Sequence, residues 1–188
     1  MTDKIIYLDA DFIIKLTQTQ NFSSTLFDEI MKLPHKFKIV KKVYSEVQNR
    51  GTNSKTILTQ YVKNGKIELV DNENCLNLVN NYFGQYNLSI NIVLSKLEDI
   101  CNKVTNDEAF FTNVFKDLIL LKQFNAPFDE FKNKLNEIIK NNKSNVKNLG
   151  EITTLLNIYC QRMVDENIEI LSFLSHDKGA KTCILKLD

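Results

Sequence analysis

Four acidic residues stand where carboxylates do chemistry better than they pack. Asp9 ends the apolar run Ile5-Ile6-Tyr7-Leu8, and Ala10-Asp11-Phe12 follows at once. Glu46 falls about one turn into a helical pattern that opens at Lys41-Lys42-Val43-Tyr44-Ser45. Glu151 sits at a helix opening, Leu149-Gly150-Glu151. Asp177 follows a β-rich run, within Ser175-His176-Asp177-Lys178-Gly179-Ala180. An unpaired carboxylate is costly to bury. Several within a few ångströms repel one another unless a divalent cation joins them. The donors on offer are oxygens, which suits a hard ion, Mg²⁺ or Mn²⁺. Such an ion makes hydroxide from bound water and stabilises charge on a phosphoryl oxygen. A single acid at a helix start is more often a cap or a dipole partner. The repetition of the pattern favours a shared site.

The elements that must deliver these acids follow from apolar patterning. Residues 4–8, 37–40, 66–70 and 168–174 read as strands, the third alternating and half-buried. Helices are expected from Phe12 to Leu16, over 25–32 with Ser23 or Ser24 as its cap, from Lys41 to a stop at Gly51, and over 54–63. A short helix is expected after Ala180. Strands alternating with helices predict an α/β fold with a parallel sheet. In such a sheet the strand carboxyl ends and the following helix starts share one edge, where ligands bind. The four acids are far apart in sequence but can meet there.

Between residues 72 and 148 the pattern is helical throughout, with four apolar sets beginning at Leu76, Ile90, Phe110 and Phe128. Phe110, Phe111, Phe115, Phe124, Phe128 and Phe131 have core spacing rather than that of an exposed stacking platform. A solvated Lys/Asn stretch, 140–147, closes the block. The domain reading is therefore a core of residues 1–71 and 148–188 with a helical insertion over 72–147. That insertion is expected to wall one side of the acidic cleft.

Composition excludes little. The chain has 188 residues, 43% apolar and 25% charged, with net charge +1. Attraction for nucleic acid must then come from local patches. One candidate is the run Lys36, Lys38, Lys41, Lys42 beside Glu46, although such runs are usually solvated faces. No apolar stretch predicts a membrane span, and the first residues lack a signal-peptide pattern. Cys75, Cys101, Cys160 and Cys183 show neither zinc nor disulfide spacing, so a reducing cytoplasm is the simplest expectation. His35 and His176 are isolated.

The arrangement resembles the PIN-domain family of metal-dependent ribonucleases. The resemblance rests on Leu8-Asp9-Ala10-Asp11, Val43-Tyr44-Ser45-Glu46, Gly150-Glu151 and Leu174-Ser175-His176-Asp177-Lys178-Gly179-Ala180, in the family's order. Asn64-Gly65-Lys66-Ile67-Glu68-Leu69-Val70 looks like the family's third-strand region. The match covers roughly residues 4–71 and 148–182. It implies a PIN-like three-layer αβα sandwich with a central parallel sheet, Mg²⁺ or Mn²⁺ at the acids, and hydrolysis of RNA phosphodiester bonds. Asp9, Glu151 and Asp177 would be metal ligands, and Glu46 would hold a metal-bound water or a second ion. Asp11 stands where the family often has Asn and would support the ligands from behind. Ser175 matches the family's small hydroxyl residue before the last acid and would orient it. Lys41, Lys42 and Lys178 are candidate contacts to RNA phosphates. The span from Glu46 to Glu151 is longer than a compact member needs, and His176 stands where some members carry an acid. Other readings stay open. Asp9 and Asp11 could be nucleophile and general acid of a haloacid dehalogenase-type phosphatase, leaving Glu46 and Glu151 idle. A silent PIN-like binding module, a toxin held in check by an inhibitory protein partner, and a homo-oligomer are also compatible with the chain.

Overall fold

The computed structural model describes residues 4–21, 24–50, 52–141, 148–165 and 169–175. The chain is mixed α/β, mostly helical, around a parallel sheet. Its strands are β1 (Lys4–Leu8), β4 (Lys36–Val40), β5 (Ile67–Val70) and β6 (Glu169–Leu174), ordered β5-β4-β1-β6. Every pairing in this sheet is parallel. β1 is central and, after Lys4, buried throughout, as a continuous apolar strand covered on both faces should be. A separate two-stranded ribbon, β2 (Gln20–Asn21) with β3 (Ser24–Thr25), follows the first helix.

The register fixes one edge of the sheet. Leu8 pairs with Leu174, and Val40 with Val70. The amide of Asp9 donates to the Leu174 carbonyl at 3.1 Å, so the chain leaves β1 and β6 side by side. Helix α1 (Ala10–Gln18) starts after Asp9, α3 (Lys41–Arg50) starts directly after β4, and α5 (Asn72–Phe83) starts after β5. These starts and strand ends therefore share an edge. α1 packs on α3 and on α4 (Thr52–Lys63).

Several local expectations are corrected. α1 runs through Thr17 to Gln18, beyond the expected stop at Leu16, because the Thr17 hydroxyl is satisfied within the buried helix face by the Ile13 carbonyl at 2.9 Å. The cap of α2 (Leu26–Met31) is Thr25, because Ser24 is held in the ribbon with its hydroxyl donating to Glu29. The Thr25 hydroxyl accepts from the Asp28 amide and the Asp28 carboxylate accepts from the Thr25 amide, a reciprocal capping box. Ser23, Gly51, residues 142–147, Ile168 and the expected final helix lie outside the described residues.

The block after β5 is helical, as its periodicity predicts. It holds α5, α6 (Tyr86–Thr105), α7 (Glu108–Val114), α8 (Lys116–Gln123) and α9 (Phe128–Asn141). The third apolar set is two helices, because the chain bends at the fully buried Phe115. Phe124 is not core. It is 79% exposed where α8 ends, so its regular spacing misleads. Leu78 and Tyr82 also lie off the buried face of α5. The block does not hang from the sheet as a separate body. Its apolar side chains join those of the sheet in one continuous core. α10 (Leu149–Val164) runs against α5 and α6 and reaches β4. No helix among the described residues is long and apolar enough to cross a membrane.

One polar contact locks α5 to α10. The Asn157 amide donates to the Asn72 side-chain oxygen, and both residues are buried. Leaving one buried amide without its partner costs about 1–3 kcal/mol. We expect Asn157→Ala to lower unfolding free energy by about that much, read from the urea midpoint. An unchanged midpoint would show that this pair does not hold the helical block to α10.

Candidate acidic site

Asp9 occupies the N-cap position of α1, yet its carboxylate makes no capping hydrogen bond. The Ala10 and Asp11 amides lie close enough to favour its ionised form without bonding as a cap. The side chain turns instead to Ser175, the residue after β6. Ser175 Oγ lies 3.1 Å from Asp9 Oδ2 and 2.9 Å from Glu151 Oε1. Glu151 is in the first turn of α10. Asp9, Glu151 and Ser175 are 6%, 5% and 8% exposed. Three elements thus deliver two buried carboxylates to one hydroxyl.

A serine hydroxyl has one proton, so it donates to one of these carboxylates at a time. Two acids sharing a buried site favour taking up a proton or a cation. Burial pushes the Asp9 carboxyl above the ordinary carboxylate range, and the neighbouring charge of Asp11 adds to this. The Ser175 hydroxyl acts in the opposite sense.

Glu46, half-buried on α3, joins from the other side. Its carboxylate rests against the backbone of Gly150. A Cβ on Gly150 would stand 2.9 Å from Glu46 Oε2, 3.2 Å from Oε1 and 3.1 Å from Val43 Cγ2. Burial raises the Glu46 pKa, the charges of Lys42 and Arg50 oppose the rise, and those of Asp9 and Asp11 reinforce it. Gly150 therefore has a role that the sequence reading did not assign. The available signal was a glycine in a helix's first turn, directly before an acid, where helix propensity alone disfavours it.

The other expected site residues fall as follows. Asp11 is exposed and accepts from Arg50 Nη1 at 2.8 Å, so it acts on Asp9 and Glu46 through charge. Lys41 is exposed and pairs with Asp71. Lys42 is half-buried near Glu46. Asp177, His176 and Lys178 lie outside the described residues. Among the described residues no group of three or more His, Cys, Asp or Glu side chains is arranged to hold a metal ion. The donor set that is present, two buried carboxylates bridged by a hydroxyl with a third acid nearby, still has the chemistry of a hard-cation site.

Comparison with known protein families, with curated proteins and with solved structures finds no match.

Two outcomes follow from this geometry. Asp9 and Glu46 have folded pKa values raised above their unfolded ones, so the folded chain holds these protons more tightly. Their contribution to stability is fullest at acid pH and is lost as the pH rises through the raised values. In chelator, Asp9→Asn should raise the melting temperature near neutral pH, by about 2–4 °C per kcal/mol of relief. It should make little difference at about pH 3, where both carboxyls are protonated. A neutral-pH melting temperature below that of the parent would make Asp9 a structural anchor. Gly150→Ala should leave the chain folded, within about 1 kcal/mol of the parent, because the Glu46 carboxylate is the end of a flexible side chain. It should push that carboxylate outward and lower its pKa, read by NMR titration. A Glu46 titration identical to the parent's would remove Gly150 from the site.

Proposed function

We propose that this chain is a PIN-like, metal-dependent ribonuclease that hydrolyses RNA phosphodiester bonds. The observation that carries the reading is the Ser175 bridge between buried Asp9 and Glu151, with Glu46 against Gly150 beside it. In this reading the helices α1, α3 and α4 and the pair α5 and α10 are the outer layers of an αβα sandwich. The remaining helices of the block belong to an insertion.

Asp9 and Glu151, with Asp177 and Glu46, would hold Mg²⁺ or Mn²⁺. Bound there, the ion would polarise a water molecule for attack and offset the charge that builds on a phosphoryl oxygen. The chain's own residues do the rest. Ser175 sets the separation of the two buried carboxylates and gives its proton to one of them. Gly150 admits the Glu46 carboxylate to the site. Glu46 would orient the attacking water from the side of α3 and take up its proton. Lys42 offsets the repulsion between these acids and an incoming phosphate. The phosphatase alternative needs Asp11 as a general acid beside Asp9. Its carboxylate is instead engaged with Arg50 on the exposed side, which favours the nuclease reading.

The test is cleavage of single-stranded RNA with Mg²⁺ or Mn²⁺. Activity should vanish in excess chelator and return on adding Mn²⁺. Glu46→Gln should slow cleavage by about 10²–10⁴-fold with the fold intact. Asp9→Asn and Glu151→Gln should abolish it. Undiminished cleavage in chelator, or in Asp9→Asn, would refute the proposal.

A further inference from the structure

A cleft of about 160 Å³ opens on the sheet edge that carries the acids. One side is the first turn of α3, with Lys41 and Lys42. Another is the junction of β5 with α5, with Asp71. The last side is the end of α9, with Asn136 and Lys140. Three ammonium groups against one carboxylate leave this lining net positive on a chain whose overall charge is only +1. α3 has no acidic residue in its first turn, so the positive end of its dipole is not neutralised there.

Two observations tie the lining together. Asp71 is held low in pKa by its hydrogen bond from Lys41, and the charge of Lys140 contributes from across the cleft. Lys42 lines the cleft while its charge acts on Glu46, so the cleft and the acids are neighbours. Lys140 is exposed and so can meet a ligand from solvent. The cavity is small and polar-rimmed, which suits a phosphate group and excludes a whole nucleoside.

We propose that this cleft is a phosphate subsite that grips the backbone of single-stranded RNA next to the bond to be cut, with Lys140 of α9 as one of its contacts. The proposal rests on the ribonuclease reading of the acids. The helical block then contributes directly to substrate binding, and Asp71 keeps Lys41 in place while limiting the attraction.

The experiment is fluorescence anisotropy with a labelled single-stranded RNA of about eight nucleotides, a length within the range of single-strand sites. It is run in excess chelator, so that binding does not need a cation at the acids. Lys140→Ala should weaken binding about 3- to 10-fold and reduce the salt slope by about 0.7, the loss of one contact to a single strand. Asp71→Asn should tighten binding, because it frees Lys41 and removes the negative lining, while Asn still caps α5. Single-stranded DNA of the same sequence should respond to both variants alike, since phosphate contacts carry no base information. Absence of binding by the parent chain, or variants that bind as the parent does, would overturn the subsite. So would both variants shifting in the same direction. If the variants respond as expected and no cation supports cleavage, the subsite stands and the ribonuclease reading falls. If Mn²⁺-dependent cleavage is found and the variants are neutral, the subsite alone falls.

Discussion

The Ser175 hydroxyl stands between two buried carboxylates with one proton to offer, and much of the chain serves to hold that contact. Asp9 and Ser175 are neighbours because β1 and β6 run parallel with Leu8 opposite Leu174. The amide of Asp9 donates across that gap, so the two strand ends cannot separate independently. Glu151 arrives from a third element, α10, whose first turn is buried at Leu149, Gly150 and Glu151 alike. Burying acids this way is unfavourable in itself. The surrounding core must therefore over-determine their positions, and it does so from both directions: apolar strands below, packed helices around.

That packing explains the size of the helical block. α10 is buried over most of its length, including Thr153, Thr154 and Asn157. A helix so enclosed needs neighbours on more sides than the sheet supplies. α5 and α6 supply them. The buried hydroxyls of Thr153 and Thr154 are satisfied within α10 itself, donating to the Leu149 carbonyl at 2.8 Å and the Gly150 carbonyl at 2.8 Å. The block is thus part of the support for Glu151.

The charges around the site are arranged in steps. The innermost acids are buried, and Asp9 is held above the ordinary carboxylate range. Glu46 is half-buried and moderated by Lys42 and Arg50. Asp11 and Lys41 are outside, each tied to an opposite charge, Arg50 and Asp71 respectively. Solvent weakens the outer pairs. Burial is the largest influence on both Asp9 and Glu46, so desolvation of carboxylates dominates the electrostatics of this edge.

The four strands of the parallel sheet and the junctions that carry Asp9, Glu46 and Glu151 were legible in the amino-acid sequence, because strand runs and helix periodicity are local properties of the chain, whereas the ribbon of β2 and β3 was not. The all-helical block was legible for the same reason. Other features were decided by tertiary structure. Periodicity put Phe124 with the core aromatics, but the end of α8 leaves it in solvent. It read one apolar set where burial of Phe115 makes two helices. It named Ser23 or Ser24 as a cap, but ribbon pairing leaves that task to Thr25. The Ser175–Asp9 contact joins residues 166 positions apart, and no local pattern encodes such a distance. The approach of Glu46 to Gly150 depends on how α3 and α10 pack, so the glycine's purpose emerges only when both helices are in place.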